Sequence, residues 1–381
     1  MVNGWLVWLG DTFLNPNIVL TGFAAKLGAP GALIGLLPAL LQAGGMIPQV
    51  FLAPYVSRFP RKIVLYRKVA ALRLSGVLLM ALSALLLGPW PHLLLLGFLL
   101  GLLLNALFTG VSSLPFWEVV AKTTPEARRA ALFSARNLVG GLLAFLAGFL
   151  VREILALPLP FPLPYALLFL LGALAFGTAW HLFGLTEEPA ETPKAERLDL
   201  RLPLKNPGFR RYLRVRVLLG LAGMAEPFYA VYAVRALGQK EALGLYLSLY
   251  ALAFTLSNLL WARLAQRGSK GVLLAGAALA GLAPLLALLL PPSLFGLVFL
   301  CQGAHLAALG LATTTYLLNL APPQERGAFI GLGNTVAGVF AFATVLGGWV
   351  ADGLGFPALF LLAAGLYALA LYAGRKLPRE G

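Results

Sequence analysis

The chain has 381 residues, 60% of them hydrophobic and only 11% charged, with a formal net charge of +15. Soluble domains run at roughly 45–50% apolar and about 25% charged, so these residues do not supply a water-facing coat and a soluble globular protein is excluded. The basic excess is not a nucleic-acid footprint, because the lysines and arginines fall in short clusters between apolar runs, where the orientation signals of a membrane protein belong.

Crossing the hydrocarbon takes about 20 mostly apolar residues per helix. Apolar runs and Pro or Gly breakers predict an all-α membrane protein with about twelve spans. The first half holds 5–25, 32–56, 69–87, 92–120, 130–155 and 164–185; the second holds 213–236, 243–264, 271–290, 294–320, 328–351 and 357–374. The first run begins at Trp5 without a basic segment before it, and it reads as a membrane helix rather than a cleaved leader.

Charged and polar residues inside these runs are costly, so they form the list of candidates. In the first span Asp11 and Asn15 are four apart and share a face around Pro16. Asn15 falls near mid-membrane and is expected on a cavity wall. Asp11, Arg73, Glu118 and Arg136 fall at one depth nearer the basic side, and pairing among them is expected to close that side. The seventh span carries Glu226 just before Pro227, with Tyr229 on the same face. Glu226 is the candidate for proton coupling or cation binding; its structural alternative is a carboxyl paired with a neighbouring helix. Gln302 and His305, three apart on the tenth span, are further cavity candidates. Gln42, Asn105, Asn137, Asn258, Asn319 and Asn334 read as interhelical hydrogen-bonding groups. Cys301, the only cysteine, reads as a small buried apolar residue.

Alternate loops carry most of the positive charge. One set holds Arg58, Arg61, Lys62, Arg67 and Lys68, then Lys122, Arg128 and Arg129, then Arg263, Arg267 and Lys270, then Arg326, and finally Arg375, Lys376 and Arg379. The other set holds only Lys26, Arg152, Arg235 and Lys240. The basic set is expected in the cytoplasm, which puts both termini there and requires an even number of spans in a cytoplasmic membrane. The longest polar stretch, 186–211, falls at mid-chain on that side and reads as a linker between residues 1–185 and 212–381.

Those two portions are similar to each other. Asn15-Pro16 in the first span corresponds to Glu226-Pro227 in the seventh, and Lys26-Leu27-Gly28 to Ala236-Leu237-Gly238. Pro125 to Arg129 leads to Arg136-Asn137, as Pro322 to Arg326 leads to Gly333-Asn334. Two parallel repeats of six helices are one layout of secondary transporters.

With this layout, and with basic segments after the second and eighth spans, the chain resembles the major facilitator superfamily over essentially its whole length. The family's Gly-x-Leu-Ala-Asp-Arg-x-Gly-Arg-Arg signature corresponds to Ala53 through Lys62 and to Ala262 through Lys270. The basic positions match, including Arg58 and Arg267, which the resemblance makes gate candidates. The acidic position is Ser57 in one copy and Gln266 in the other. The Gly-Pro pair of the drug-antiporter motif is replaced by Val139-Gly140-Gly141, and 92–120 lacks an arginine.

The resemblance implies two six-helix bundles that rock about a central site and carry a small solute, either coupled to protons or as a proton-independent facilitator. The apolar cast of the cavity helices suggests a rather hydrophobic or weakly polar solute. A non-transporting receptor or partner protein of the same fold is the alternative. Three scattered histidines and one cysteine offer no metal cluster, no phosphate-binding Gly-rich loop precedes a Lys-Ser/Thr pair, and no nucleophile–base arrangement is visible. No cofactor and no enzymatic activity are expected; the expected partners are the solute, membrane lipid and protons.

Overall fold

In the computed structural model, residues 1–56, 58–190, 201–322 and 325–378 are described. Ser57, the 191–200 part of the linker and Arg379 lie outside them, as does the side chain of Arg129. The described chain is helix after helix. The first half runs α1 (Val2–Phe13), α2 (Thr21–Lys26), α3 (Gly31–Met46), α4 (Pro48–Val56), α5 (Lys62–Leu86), α6 (Pro91–Thr123), α7 (Glu126–Ala156) and α8 (Leu163–Gly184). A short α9 (Leu202–Lys205) opens the second half. It continues through α10 (Pro207–Ala222), α11 (Phe228–Arg235), α12 (Leu243–Ala265), α13 (Ser269–Leu289), α14 (Gly296–Leu320), α15 (Arg326–Phe340) and α16 (Ala343–Arg375).

Among the described residues nine helical stretches are long and apolar enough to cross a membrane. The expected twelve differ from that number for local reasons. The first two spans are broken by prolines into α1 with α2 and α3 with α4. The last two are merged into one stretch, Arg326–Arg375, with a bend at Gly355 (φ 85°) just before Pro357. Helices also begin earlier than the hydropathy does: α5 starts at Lys62 and α10 at Pro207, because the basic first turns of both are helical.

The breaks recur at matched places in the two halves. In the first, Leu14 and Asn15 leave the helix, Asn15 Oδ1 accepts from the backbone N–H groups of Asn17 and Ile18, and Pro16–Leu20 form a wide π-turn into α2. In the second, α10 tightens into a 3-10 turn at Gly223–Ala225 before Glu226 and Pro227, and α11 follows. Proline removes a backbone donor at each place, and the helix must rebuild around it. Both segments end on a glycine with positive φ, Gly28 at 75° and Gly238 at 68°. That left-handed backbone suits glycine, which is why the Leu-Gly pair recurs at the two positions.

Within the first half α5 packs on α6 and α8, α1 on α7 and α8, and α3 on α6; within the second, α14 packs on α12 and α13, and α16 on α10 and α13. The halves meet along α7 with α12 and α3 with α16. Small residues make these seams. Gly348 lies against the Gly31 backbone, Gly35 against Thr344, and Gly148 and Gly244 against each other, so that a methyl group at any of them would strike main chain. The largest buried cluster runs through both halves, from Phe23 and Phe169 to Tyr229, Phe299 and Phe360.

The polar 186–211 stretch includes a residue packed against the helices. Glu188 is buried, pairs with Lys122 Nζ at 2.8 Å and accepts the Ile63 N–H at 2.7 Å. It therefore ties the end of α6 to the uncapped start of α5. Burial pushes its carboxyl up, but the Lys122 hydrogen bond and the N–H groups of Ile63 and Lys62 outweigh that and hold it below its ordinary 4.5.

Candidate functional site

The residue that ends the α10 break carries the site of the second half. Glu226 Oε1 accepts from the Tyr367 hydroxyl at 3.1 Å and lies 3.7 Å from His305 Nε2. The second distance permits attraction but is too long for a hydrogen bond. Gln302 Nε2 donates to the Glu226 backbone carbonyl at 3.2 Å, so α14 braces the rebuilt turn. Gln302 and His305 are both 2% exposed, whereas the Glu226 side chain keeps 23% of its surface open. Gln302 Oε1 and His305 Nδ1 have no hydrogen-bond partner among the described residues. Tyr229 is buried with its ring 5.3 Å from that of Phe360, on the packed side of α11. The structure thus brings Glu226, Gln302 and His305 together, adds Tyr367, and sets Tyr229 into the aromatic core beside them.

The first half faces this cluster with charges of both signs. Asp11 is solvent-exposed although it lies deep among helices, and Arg73 and Arg136 are within its electrostatic reach. Arg73 is well supported: Nε donates to Asn105 Oδ1 at 3.3 Å, Nη1 to Ser112 Oγ at 3.0 Å, and the guanidinium stacks 4.2 Å over Trp180. Arg136 lies 5.3 Å from the Phe116 ring, and its Nε has no partner among the described residues. Tyr250 of α12 is within electrostatic reach of both Asp11 and Glu226. Beside it, Phe254 meets Trp8 of α1 across the halves, with ring centroids 5.3 Å apart. Asn15 is taken up by its cap and is half-buried.

Among the described residues, none of the gate candidates pairs across the halves in this conformation. Glu118 pairs with Lys62 at 3.4 Å, inside the first half, rather than with Arg73 or Arg136. That is expected once α5 starts at Lys62, which is carried buried to the end of α6. Arg58 and Arg267 are exposed. Among the described residues, the hydrogen bonds that join the halves lie toward the face opposite the basic loops. Arg235 Nη2 donates to Ala29 O at 2.6 Å, Asp352 Oδ2 accepts from Gly31 N at 2.6 Å, and Thr344 Oγ1 donates to Gly35 O at 2.6 Å. A fourth, from Ser248 Oγ to Phe145 O, is 3.0 Å long.

Sequence reasoning missed Tyr367, Tyr250, Glu188 and Asp352. A tyrosine in an apolar run carries no pattern that separates a ligand from a core residue. Asp352 falls one residue beyond the expected end of its span, at the charge-poor face, and that placement was the available signal.

The comparisons with known proteins bear on the fold. Residues 221–380 match the family model described as Major Facilitator Superfamily. Uncharacterized protein Rv2209 of Mycobacterium tuberculosis is 26% identical over 257 residues, and the Mycobacterium bovis protein Mb2232 matches equally. That match takes in 63% of this chain, and the chain spans about half the length of these relatives, 49%. Among solved structures, the nucleoside transporter NupG superposes with a TM-score of 0.74 at 16% identity, covering 99% of this chain and 98% of NupG. A D-xylose-proton symporter gives 0.76 at 14%, covering 100% and 98%, and a bacterial metal transporter 0.67 at 16%, covering 98% and 96%. Residues 221–380 thus carry the pattern of the Major Facilitator Superfamily, and the chain as a whole shares its fold with these solved transporters.

Proposed function

We propose that this protein is a secondary transporter that moves a small solute across the cytoplasmic membrane by alternating access, with Glu226 as the group that takes up and releases a proton. The observation that carries this reading is the position of Glu226. It sits at a helix break, open on one side, held by Tyr367 and facing His305, across from the charged layer of Asp11, Arg73 and Arg136. A carboxyl kept inside a membrane bundle is a functional group by default.

Two six-helix bundles, residues 1–185 and 212–381, would rock about this site. Contacts between them cluster at the face of Ala29, Gly31, Arg235 and Asp352. This supports a conformation closed there and open toward the basic loops. Those loops belong in the cytoplasm on charge grounds, with both termini beside them, so the state is inward-facing. Arg58, Arg73, Glu118, Arg136 and Arg267 would then engage the other half only after the bundles rock. The wall chemistry favours a polar solute over the hydrophobic one that composition suggested. The neighbours' named cargoes, nucleosides, D-xylose and metal, differ too much to select among polar solutes.

The test is proton flux in proteoliposomes with a pH dye inside, challenged with a panel of polar solutes. Solute-driven acidification that vanishes in Glu226→Gln supports the coupled carrier. Solute flux with no proton movement, unchanged in that variant, makes the protein a facilitator and leaves Glu226 structural.

A further inference from the structure

Away from the central site, three contiguous cavities run along the outer seam between α5 and α8. The uppermost, about 580 Å³, is lined by Arg61, Val64, Arg67 and Glu187 at the basic face. It shares Arg67 with a second of about 380 Å³, floored by Ala70, Leu74 and Gly177. The second shares Leu74, Gly177 and His181 with a third of about 470 Å³, walled by Leu78, Leu170 and Leu174. The groove is thus cationic at one end and apolar along the rest. Its helices present Val64, Ala71, Leu78, Leu174 and Thr178 outward, the surface a bilayer covers.

The polar end is built. Arg67 Nε donates to the Gly184 carbonyl at 2.5 Å, which fixes the guanidinium while its two terminal nitrogens remain for another acceptor. Arg61 and His181 are exposed on either side. Of the two nearby acids among the described residues, Glu188 is already satisfied by Lys122 and the Ile63 N–H, which leaves Glu187 to oppose the two arginines. The apolar lane exists because Gly177 has no side chain: a Cβ there would come within 3.2 Å of Leu74.

We propose that this groove binds one anionic phospholipid of the leaflet on the basic side, with its phosphate on Arg67 and Arg61 and an acyl chain lying along Leu74, Gly177 and Leu174. A guanidinium fork matches phosphate oxygens, and basic pockets between membrane helices on the cytoplasmic side suit anionic headgroups. The lipid would bridge α5 and α8 and stiffen the seam on which Arg73 and Trp180 stack.

Native mass spectrometry of the purified protein in neutral detergent tests this, with phosphatidylglycerol, phosphatidylcholine or inorganic phosphate added and melting temperature followed in parallel. The expected result is one retained phosphatidylglycerol and a higher melting temperature, with phosphatidylcholine retained about tenfold less. Arg61→Gln with Arg67→Gln should abolish that preference. Gly177→Leu, which has only the flexible Leu74 side chain to displace, should remove the bound lipid while both arginines stay. Equal retention of the two lipids overturns the proposal, as does a phosphatidylglycerol preference that survives in both variants. Stabilisation by inorganic phosphate alone would assign the arginines to a free anion and overturn it too.

Discussion

Asp352, at the end of the first limb of α16, accepts the backbone N–H of Gly31 at the first turn of α3, 2.6 Å away across the boundary between the halves. An acid at a helix N-terminus meets unsatisfied N–H groups and the positive end of the helix dipole. Here the cap comes from the other bundle, so the contact exists only while the two bundles are closed on that face. Arg235 grips the preceding carbonyl of Ala29 in the same way.

Asp352→Ala should therefore shift the population toward the state open at that face. The carboxylate is exposed, so the contact is worth about 1 kcal/mol, and the population should move about fivefold. Spin labels at Leu27→Cys and Leu237→Cys in a Cys301→Ser background would report it as a longer distance. An unchanged distance distribution would remove the cap from the closing machinery.

Glu226→Gln keeps an acceptor for Tyr367 and the backbone brace from Gln302. Its melting temperature should stay within a few degrees of the parent while proton movement is lost. Gln302→Ala should do the reverse, loosening the break and lowering stability by about 1–3 kcal/mol through a lost hydrogen bond and a cavity. Thermal unfolding and proton flux measured on both variants separate the two roles.

Glu188→Gln should lower stability at neutral pH by about 2 kcal/mol, because Lys122 loses its charged partner in a buried setting. The pH dependence has a definite sign. A carboxyl held below its ordinary 4.5 in the folded protein stabilises above that value, and the benefit fades as pH falls through the folded value. The parent should thus lose melting temperature on acidification below about pH 4.5, and Glu188→Gln should lose less over the same range.

Asn15→Ala removes the cap of the segment after the first break and should cost about 1 kcal/mol. Asn15→Asp should keep most of the stability. If solute affinity falls equally in both variants while only the first is destabilised, Asn15 also contacts solute.

Most of the helices were legible because hydropathy, proline positions and loop charge all report on one solvent, the bilayer. What was not legible follows from the same fact. Lys62 and Pro207 start helices that hydropathy cannot see, since a basic first turn resembles a loop. Glu226, Gln302 and His305 could be singled out because polar groups are rare inside spans, but their meeting depends on how α14 packs against the break. Tyr367 joins them from a helix whose sequence gives no hint of it. Glu118 was expected to meet an arginine at the same depth and meets Lys62 instead, since depth alone does not choose among neighbours.

The burial of Glu188 also says where the chain can be divided. That carboxylate is clipped between α5 and α6 ahead of the 191–200 stretch, and α9 opens the second bundle after it. Two separately translated polypeptides cut in that stretch, one carrying Glu188 and the other starting ahead of α9, would each bring a finished surface to the α7–α12 and α3–α16 seams. Co-expressed, they should reassemble through these seams without a covalent tether.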